Sequence, residues 1–189
     1  MRRKKIDEID IGIIRELQLD GRIKLTDLAE KMNLTHPSIY ERLKKLIDKE
    51  IIKVQANINI AKLKLKAAFI QLKMDSVSKL GEMLKKCGSC TKLVLLGMSS
   101  GEYNVFIILI GSDFNELKTL IERNFTMPEI GDIKVSYGEI LYPTFFPINI
   151  GTDCDRILNE ICSKCVFYKL KICKGCLSLF ESIKSTTII

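Results

Sequence analysis

Five of the seven cysteines of this 189-residue chain fall between residues 154 and 176. Cys162/Cys165 and Cys173/Cys176 are two CxxC pairs separated by seven residues, Val166 to Ile172. A CxxC in a tight turn lets two thiolates face one ion, and two such turns complete a tetrahedral set of four sulfurs. Thiolates are soft donors that select Zn(II) or Cu(I) over hard cations. Four thiolates suit a structural Zn(II), whereas Cu(I) often takes two or three sulfurs. Cys154 is either a fifth donor, through which the set rearranges between metals, or a bystander on a helix with Ile157 and Leu158. Disulfides and plain core cysteines are the alternatives to a metal, and the usual iron–sulfur spacings are absent. The seven-residue spacer is long enough for a very short hairpin. Leu177, Phe180 and Ile183, three apart, suggest a closing helix over the site. One further CxxC, Cys87/Cys90, stands alone and reads as free thiols.

His36 is the only histidine, which excludes multi-histidine metal sites and weakens many enzyme readings at once. No set of titratable residues suggests a catalytic pocket, so the chain is not expected to be an enzyme. The composition, 47% hydrophobic and 28% charged, is that of a globular protein. Apolar runs such as Val105 to Ile110 are far short of the roughly 20 residues that span a bilayer. The basic start runs straight into Ile6, Asp7 and Glu8 without an apolar signal core, so a cytoplasmic protein with no membrane partner is expected.

The net charge of +7 is uneven. Residues 1–66 carry 16 Lys and Arg against 10 Asp and Glu, residues 67–150 carry 8 against 9, and residues 151–189 carry 6 against 4. The excess of +6 in the N-terminal third is where a polyanion would be met.

That third reads as three helices. Ile9, Ile13 and Leu17 recur at a spacing of four in a first helix that ends near Asp20-Gly21. Thr26 is the expected N-cap of a short second helix, Asp27 to Met32. Asn33 suits a left-handed turn, and Thr35 is the expected cap of a third helix with Ile39, Leu43 and Leu46 inward. Its other sides carry Ser38, Tyr40, Glu41, Arg42, Lys44 and Lys45. Helix, short turn and outward-facing cationic helix is the layout that enters a DNA major groove. The candidate contacts to double-stranded DNA are therefore Thr35, His36, Ser38, Tyr40, Glu41, Arg42, Lys44 and Lys45, with His36 able to meet a phosphate or a base edge.

Residues 6–53 resemble the winged helix of the Lrp/AsnC (feast/famine) transcription regulators. The likeness rests on Asp10 and Ile13, Leu17 with Arg22, Leu28-Ala29, and the frame Leu34-Thr35, Arg42, Leu46 and Ile52. The chain departs from that family at His36-Pro37, at Glu41, and at Glu50, which replaces a common glycine.

Beyond a basic stretch at Lys62, Lys64 and Lys66 the periodicity changes. Strands are expected at Ala67–Met74, Lys92–Met98, Tyr103–Ile110 and Ile133–Ile140, with helices at Val77–Cys87 and Asp113–Asn124. The order βαββαβ is that of a ferredoxin-like sandwich. Val94, Leu95 and Phe106 to Leu109 supply apolar residues to both sheet faces, so a homodimer or higher even-numbered assembly through the open face is expected. Residues 67–142 resemble the effector-binding and oligomerisation domain of the same family. That resemblance implies an amino-acid site near Gly101, Tyr103 and Asn104, although Asn104 stands where an Asp is usual.

The last segment gives a second resemblance. Cys173, Cys176, Leu177, Phe180 and Glu181, led by Tyr168 to Cys173, are similar to the end of TRASH-type treble-clef metal modules. Archaeal copper-responsive regulators join such a module to an Lrp-like DNA reader. The expected fold is α+β: a winged helix-turn-helix (1–56), a linker (57–66), a ferredoxin-like sandwich (67–142), a linker (143–152) and a cysteine-rich module (153–189). The expected function is a DNA-binding transcription regulator whose thiolates bind, and sense, Zn(II) or Cu(I). The alternatives are the same regulator with structural zinc and an amino acid or no effector, a thiol metal carrier or redox protein, and an enzyme on the same scaffold.

Overall fold

The computed structural model describes residues 5–74, 91–125, 130–148, 162–164, 166–171 and 183. The chain divides into two compact units, Met1–Ala56 and Asn57–Ile189.

In the first unit α1 spans Glu8–Leu19, α2 Leu25–Lys31 and α3 His36–Asp48. Asp7 starts α1 with a capping box, its carboxylate accepting from the Asp10 amide at 3.0 Å while Asp10 accepts from the Asp7 amide at 3.2 Å. Ile13, Leu28, Ala29, Ile39 and Leu46 form the buried core, with Ile9, Leu17, Leu43 and Ile52 packed around it. A Cβ at Gly12 would lie 2.8 Å from the Met32 sulfur, so a side chain there would displace the Met32 thioether.

Two expectations about caps change. Lys24, not Thr26, precedes α2, and Thr26 instead donates to Asp27 at 3.1 Å. Thr35 does occupy the cap of α3, but its side chain makes no capping bond there. Pro37, which has no amide hydrogen to satisfy, takes the first turn instead.

The two helix exits are alike. Asn33 (φ 52°) ends α2, with its amide and that of Leu34 bonded to the carbonyls of Glu30 and Ala29. Glu50 (φ 55°) ends α3, with its amide and that of Ile51 bonded to Ile47 and Leu46. Both are the left-handed helix stop that glycine and asparagine favour, so Glu50 adopts the conformation for which a glycine would be better suited. After it the chain returns Ile52 to the helical core, and no strand occurs among the described residues of this unit. The expected wing is therefore absent there; the unit is a three-helix helix-turn-helix.

The second unit holds a four-stranded antiparallel sheet of order β3-β4-β2-β5, with β2 at Lys66–Met74, β3 at Leu93–Met98, β4 at Val105–Gly111 and β5 at Ile130–Gly138. First and third strands are neighbours and the second and fourth lie outside, which is the ferredoxin-like arrangement. Helix α4, Phe114–Asn124, is capped by Asp113 and packs Leu117 and Ile121 on the face formed by Ala68, Ile70, Leu72, Val105 and Ile107. The helix expected at Val77–Cys87, and Cys87/Cys90 with it, lies outside the described residues.

The segments expected as linkers carry structure of their own. β1, Ile58–Asn59, pairs antiparallel with β6, Phe145–Phe146. Ile60, Leu65 and Ile110 form a small separate core beneath this pair, joined by Phe146, Ile148 and Ile183. Two-residue strands were invisible to a periodicity argument, which needs several alternations. No helix among the described residues is long and apolar enough to cross a membrane.

Candidate nucleic-acid interface

His36, Tyr40 and Lys44 follow one another at a spacing of four, so they share one row of α3, and all three are exposed. Tyr40 is 48% exposed, an uncommon position for a large ring that no core requires. Glu41 and Lys45 form the adjacent exposed row, Thr35 is exposed at the helix start and Ser38 is half-buried. Lys44 and Lys45 form no salt bridge among the described residues, so their charge is directed at solvent. This row of hydroxyl, imidazole, carboxylate and ammonium groups can donate to phosphate oxygens and both donate to and accept from base edges.

Arg42 does something else. Its Nη1 donates to Asp7 Oδ1 at 2.9 Å, to Asp7 Oδ2 at 2.7 Å and to Asp10 Oδ1 at 2.8 Å, and its side chain is only 24% exposed. The guanidinium thus ties α3 to the capping box of α1. The hydrogen bond from Arg42 and that from the Asp10 amide hold the Asp7 carboxyl below its ordinary value, and the bonds of Arg42 to the Asp7 and Asp10 carboxylates raise Arg42 above its own. Arg42, one of the expected DNA contacts, is thus engaged within the chain, where it links α3 to the start of α1. The signal for this was present in Asp7 and Asp10, three apart at a helix start, but nothing local names their partner 32 and 35 residues away.

A cleft of about 260 Å³ opens beside this ion pair, lined by Lys5 and Ile6 ahead of α1 and by Ser38, Lys45 and Lys49 along α3. Lys5 and Lys49 were not among the residues expected to contact a polyanion.

The three candidate effector residues are brought together at the turn before β4, yet two of them are already engaged. The Asn104 side chain accepts from the Met74 amide at 2.9 Å and donates to the Met74 carbonyl at 2.8 Å. An aspartate could make the first bond but not the second, so asparagine here serves the sheet. The Tyr103 hydroxyl donates to Asp132, which raises the phenol's pKa and lowers that of the carboxylate, and Lys134 Nζ lies 3.9 Å over the Tyr103 ring. Gly101 takes φ 123°, a left-handed turn with open space where a side chain would stand.

Of the cysteine segment, Cys162–Lys164 is a 3-10 turn and α5 spans Val166–Lys169, ending at Lys171 with φ 58°. The spacer between the CxxC pairs is thus helical over most of its length rather than a hairpin or a strand, because Val166 to Lys169 can close an i to i+4 turn that the Leu170 amide completes at 2.9 Å. That departs from the treble-clef pattern at Tyr168–Lys171. Cys154, Cys165, Cys173 and Cys176 lie outside the described residues, as do Leu177, Phe180 and Glu181.

One further charged pair was not foreseen. Lys92 and Glu116 form a salt bridge at 1% exposure each, and Glu116 also accepts from the Ser112 amide at 2.8 Å. It supports the end of β4 and the start of α4 rather than a surface site.

A short helix, a left-handed turn and an outward helix, in a unit that is compact by itself, define a helix-turn-helix protein. Comparison with known proteins gives its type. Residues 6–47 match the AsnC-type helix-turn-helix domain. An uncharacterised HTH-type transcriptional regulator of Pyrococcus horikoshii is 28% identical over 142 residues, 74% of this chain and 88% of that protein. The HTH-type transcriptional regulator Ptr1 of Methanocaldococcus jannaschii is 28% identical over 133 residues, 69% of this chain and 90% of its own. The structure of Escherichia coli AsnC superposes with a TM-score of 0.62 at 21% identity, covering 77% of this chain and 97% of that one. The helix-turn-helix of residues 6–47 is thus of AsnC type, and the fold over about three quarters of the chain is that of E. coli AsnC. Between about 23% and 31% of the chain lies outside these matches.

Proposed function

We propose that this protein is a sequence-specific transcription regulator that binds double-stranded DNA through the outer row of α3 and acts as a homodimer or higher even-numbered assembly. The observation that carries the reading is the exposed row His36, Tyr40 and Lys44, with Glu41 and Lys45 beside it, on a helix anchored from behind by Arg42. Regulation of transcription is what the named relatives are described as doing. Dimerisation is supported by the sheet face opposite α4: Phe69, Phe106 and Ile108 are half-buried and Leu95 is 43% exposed in neighbouring strand positions. An apolar face of this kind calls for a cover.

The C-terminal thiolates form the proposed second input. Two CxxC pairs supply four soft donors without a histidine or carboxylate, and the described part of the first pair is a tight turn of the type such a pair needs. Cys162, Cys165, Cys173 and Cys176, with Cys154 in reserve, would hold Zn(II) or Cu(I), and a metal that binds two conformations unequally would shift DNA affinity. An amino-acid effector at Gly101, Tyr103 and Asn104 is the weaker alternative, since Tyr103 and Asn104 are already bonded within the chain.

Selection of duplexes from a random pool by the full chain tests the first part. Enrichment of one motif as two half-sites about 10 bp apart, the spacing that a two-fold dimer imposes, is expected. Repeating the binding with Zn(II), Cu(I) and a chelator tests the second. Affinity for the enriched duplex is expected to change with metal in the wild type and not in a Cys173→Ser, Cys176→Ser variant; no enrichment overturns the DNA reading, and an identical metal response in both proteins overturns the metal reading.

A further inference from the structure

We propose that the cleft between the start of α1 and the outer side of α3 seats one backbone phosphate of the bound duplex, held by Lys5, Lys45 and Lys49. The inference rests on the duplex-binding reading above and adds to it a contact that positions the helix without reading sequence.

The chemistry of the lining favours an anion. The cleft holds about 260 Å³, and its charged lining is Lys5, Arg42, Lys45 and Lys49 against Asp10 and Glu41. Arg42 and Asp10 neutralise each other at 2.8 Å, and Asp7 behind them takes the remaining contacts of Nη1. Shared between two aspartates, Arg42 leaves that group one net negative charge, so with Glu41 two negative charges face three ammonium groups, and none of the three lysines forms a salt bridge among the described residues. Like charges gathered around one hollow repel unless an anion enters, and the repulsion is greatest at low ionic strength. Ser38, half-buried in the same cleft, offers a hydroxyl donor.

The geometry also points to a phosphodiester rather than an acidic peptide. Lys45 follows Lys44, the end of the exposed row, so the cleft adjoins the face offered to the groove. A strand whose bases meet that row carries its phosphates within reach of the helix flank. Lysine is a point-charge phosphate binder that needs no bidentate geometry, and Arg42, the one group with a fork, is already committed to the two aspartates.

The test is duplex binding by the full chain as a function of salt, comparing the wild type with a Lys5→Gln, Lys49→Gln variant on the enriched duplex and on unrelated duplexes. Both substitutions are at exposed positions, and an unchanged unfolding midpoint confirms that the fold is kept. The variant is expected to bind every duplex more weakly by a common factor, with the slope of log K against log salt shallower by about 1 per protomer and the enriched motif unchanged. A wild type that binds no duplex overturns the function itself. A wild type that binds, with a variant of unchanged slope, overturns the phosphate seat alone; so does a variant that changes base preference at one position while its slope stays the same.

Discussion

Arg42 with Asp7 and Asp10 in the helix-turn-helix, and Lys92 with Glu116 in the sandwich, are both ion pairs that tie together elements distant in sequence. They differ in their access to water. The Arg42 group is about a quarter exposed and Asp7 is 43% exposed, so solvent screens the attraction. Lys92 and Glu116 are dry, and each has lost its hydration to be there. The comparison teaches that charge can position a surface helix at little cost, whereas a buried pair fixes a junction by making every alternative worse.

Two changes sharpen this contrast, the larger in the sandwich. Lys92→Met takes from buried Glu116 the ammonium group it meets, and a loss of about 3–5 kcal/mol in the stability of the second unit is expected in urea unfolding. The double variant Lys92→Met, Glu116→Gln should recover part of that loss, because the buried carboxylate charge is removed together with the ammonium that met it. A single-variant cost below about 1 kcal/mol would mean that water reaches the pair.

The smaller effect is that of pH on the first unit. Arg42 and the Asp10 amide depress the folded pKa of Asp7 below its ordinary 3.8, so the unfolded chain binds this proton more readily. The resulting stabilisation is present above pH 3.8 and is lost as pH falls through the lower folded value. The protection factors of α1 and α3 amides, measured against their intrinsic exchange rates, should therefore fall on acidification below about pH 4 in the wild type. An Asp7→Asn variant, which keeps the capping acceptor, should show a flatter dependence over that range.

The helices of the first unit were legible because their apolar residues repeat with helical period and because Asn33 announces a left-handed turn. The strands of the sandwich were legible from their β-rich runs, to within a few residues at each end; β5 starts at Ile130, three residues earlier than its expected beginning at Ile133. What the sequence hid was pairing across distance. Arg42 reads locally as one more cation on an outward helix, and only the fold brings it onto two aspartates 32 and 35 residues back. β1 and β6 pair residues 86 and 88 positions apart in the chain, and neither strand is long enough to show a period. The wing was expected by resemblance alone, and Ile52 instead returns to the helical core. Glu50 shows the reverse case, a departure from a common glycine that was visible in the sequence and whose meaning, φ 55° at a helix stop, only the backbone supplies.

The central claim is that the outer row of α3 meets DNA. The most direct measurement is the affinity of a Lys44→Gln, Lys45→Gln variant for the enriched duplex, compared with the wild type across a salt titration. A loss of about tenfold or more, with a salt slope shallower by about 2 per protomer, is the result predicted for two lost phosphate contacts. Equal affinity and equal slope in the two proteins would contradict the claim.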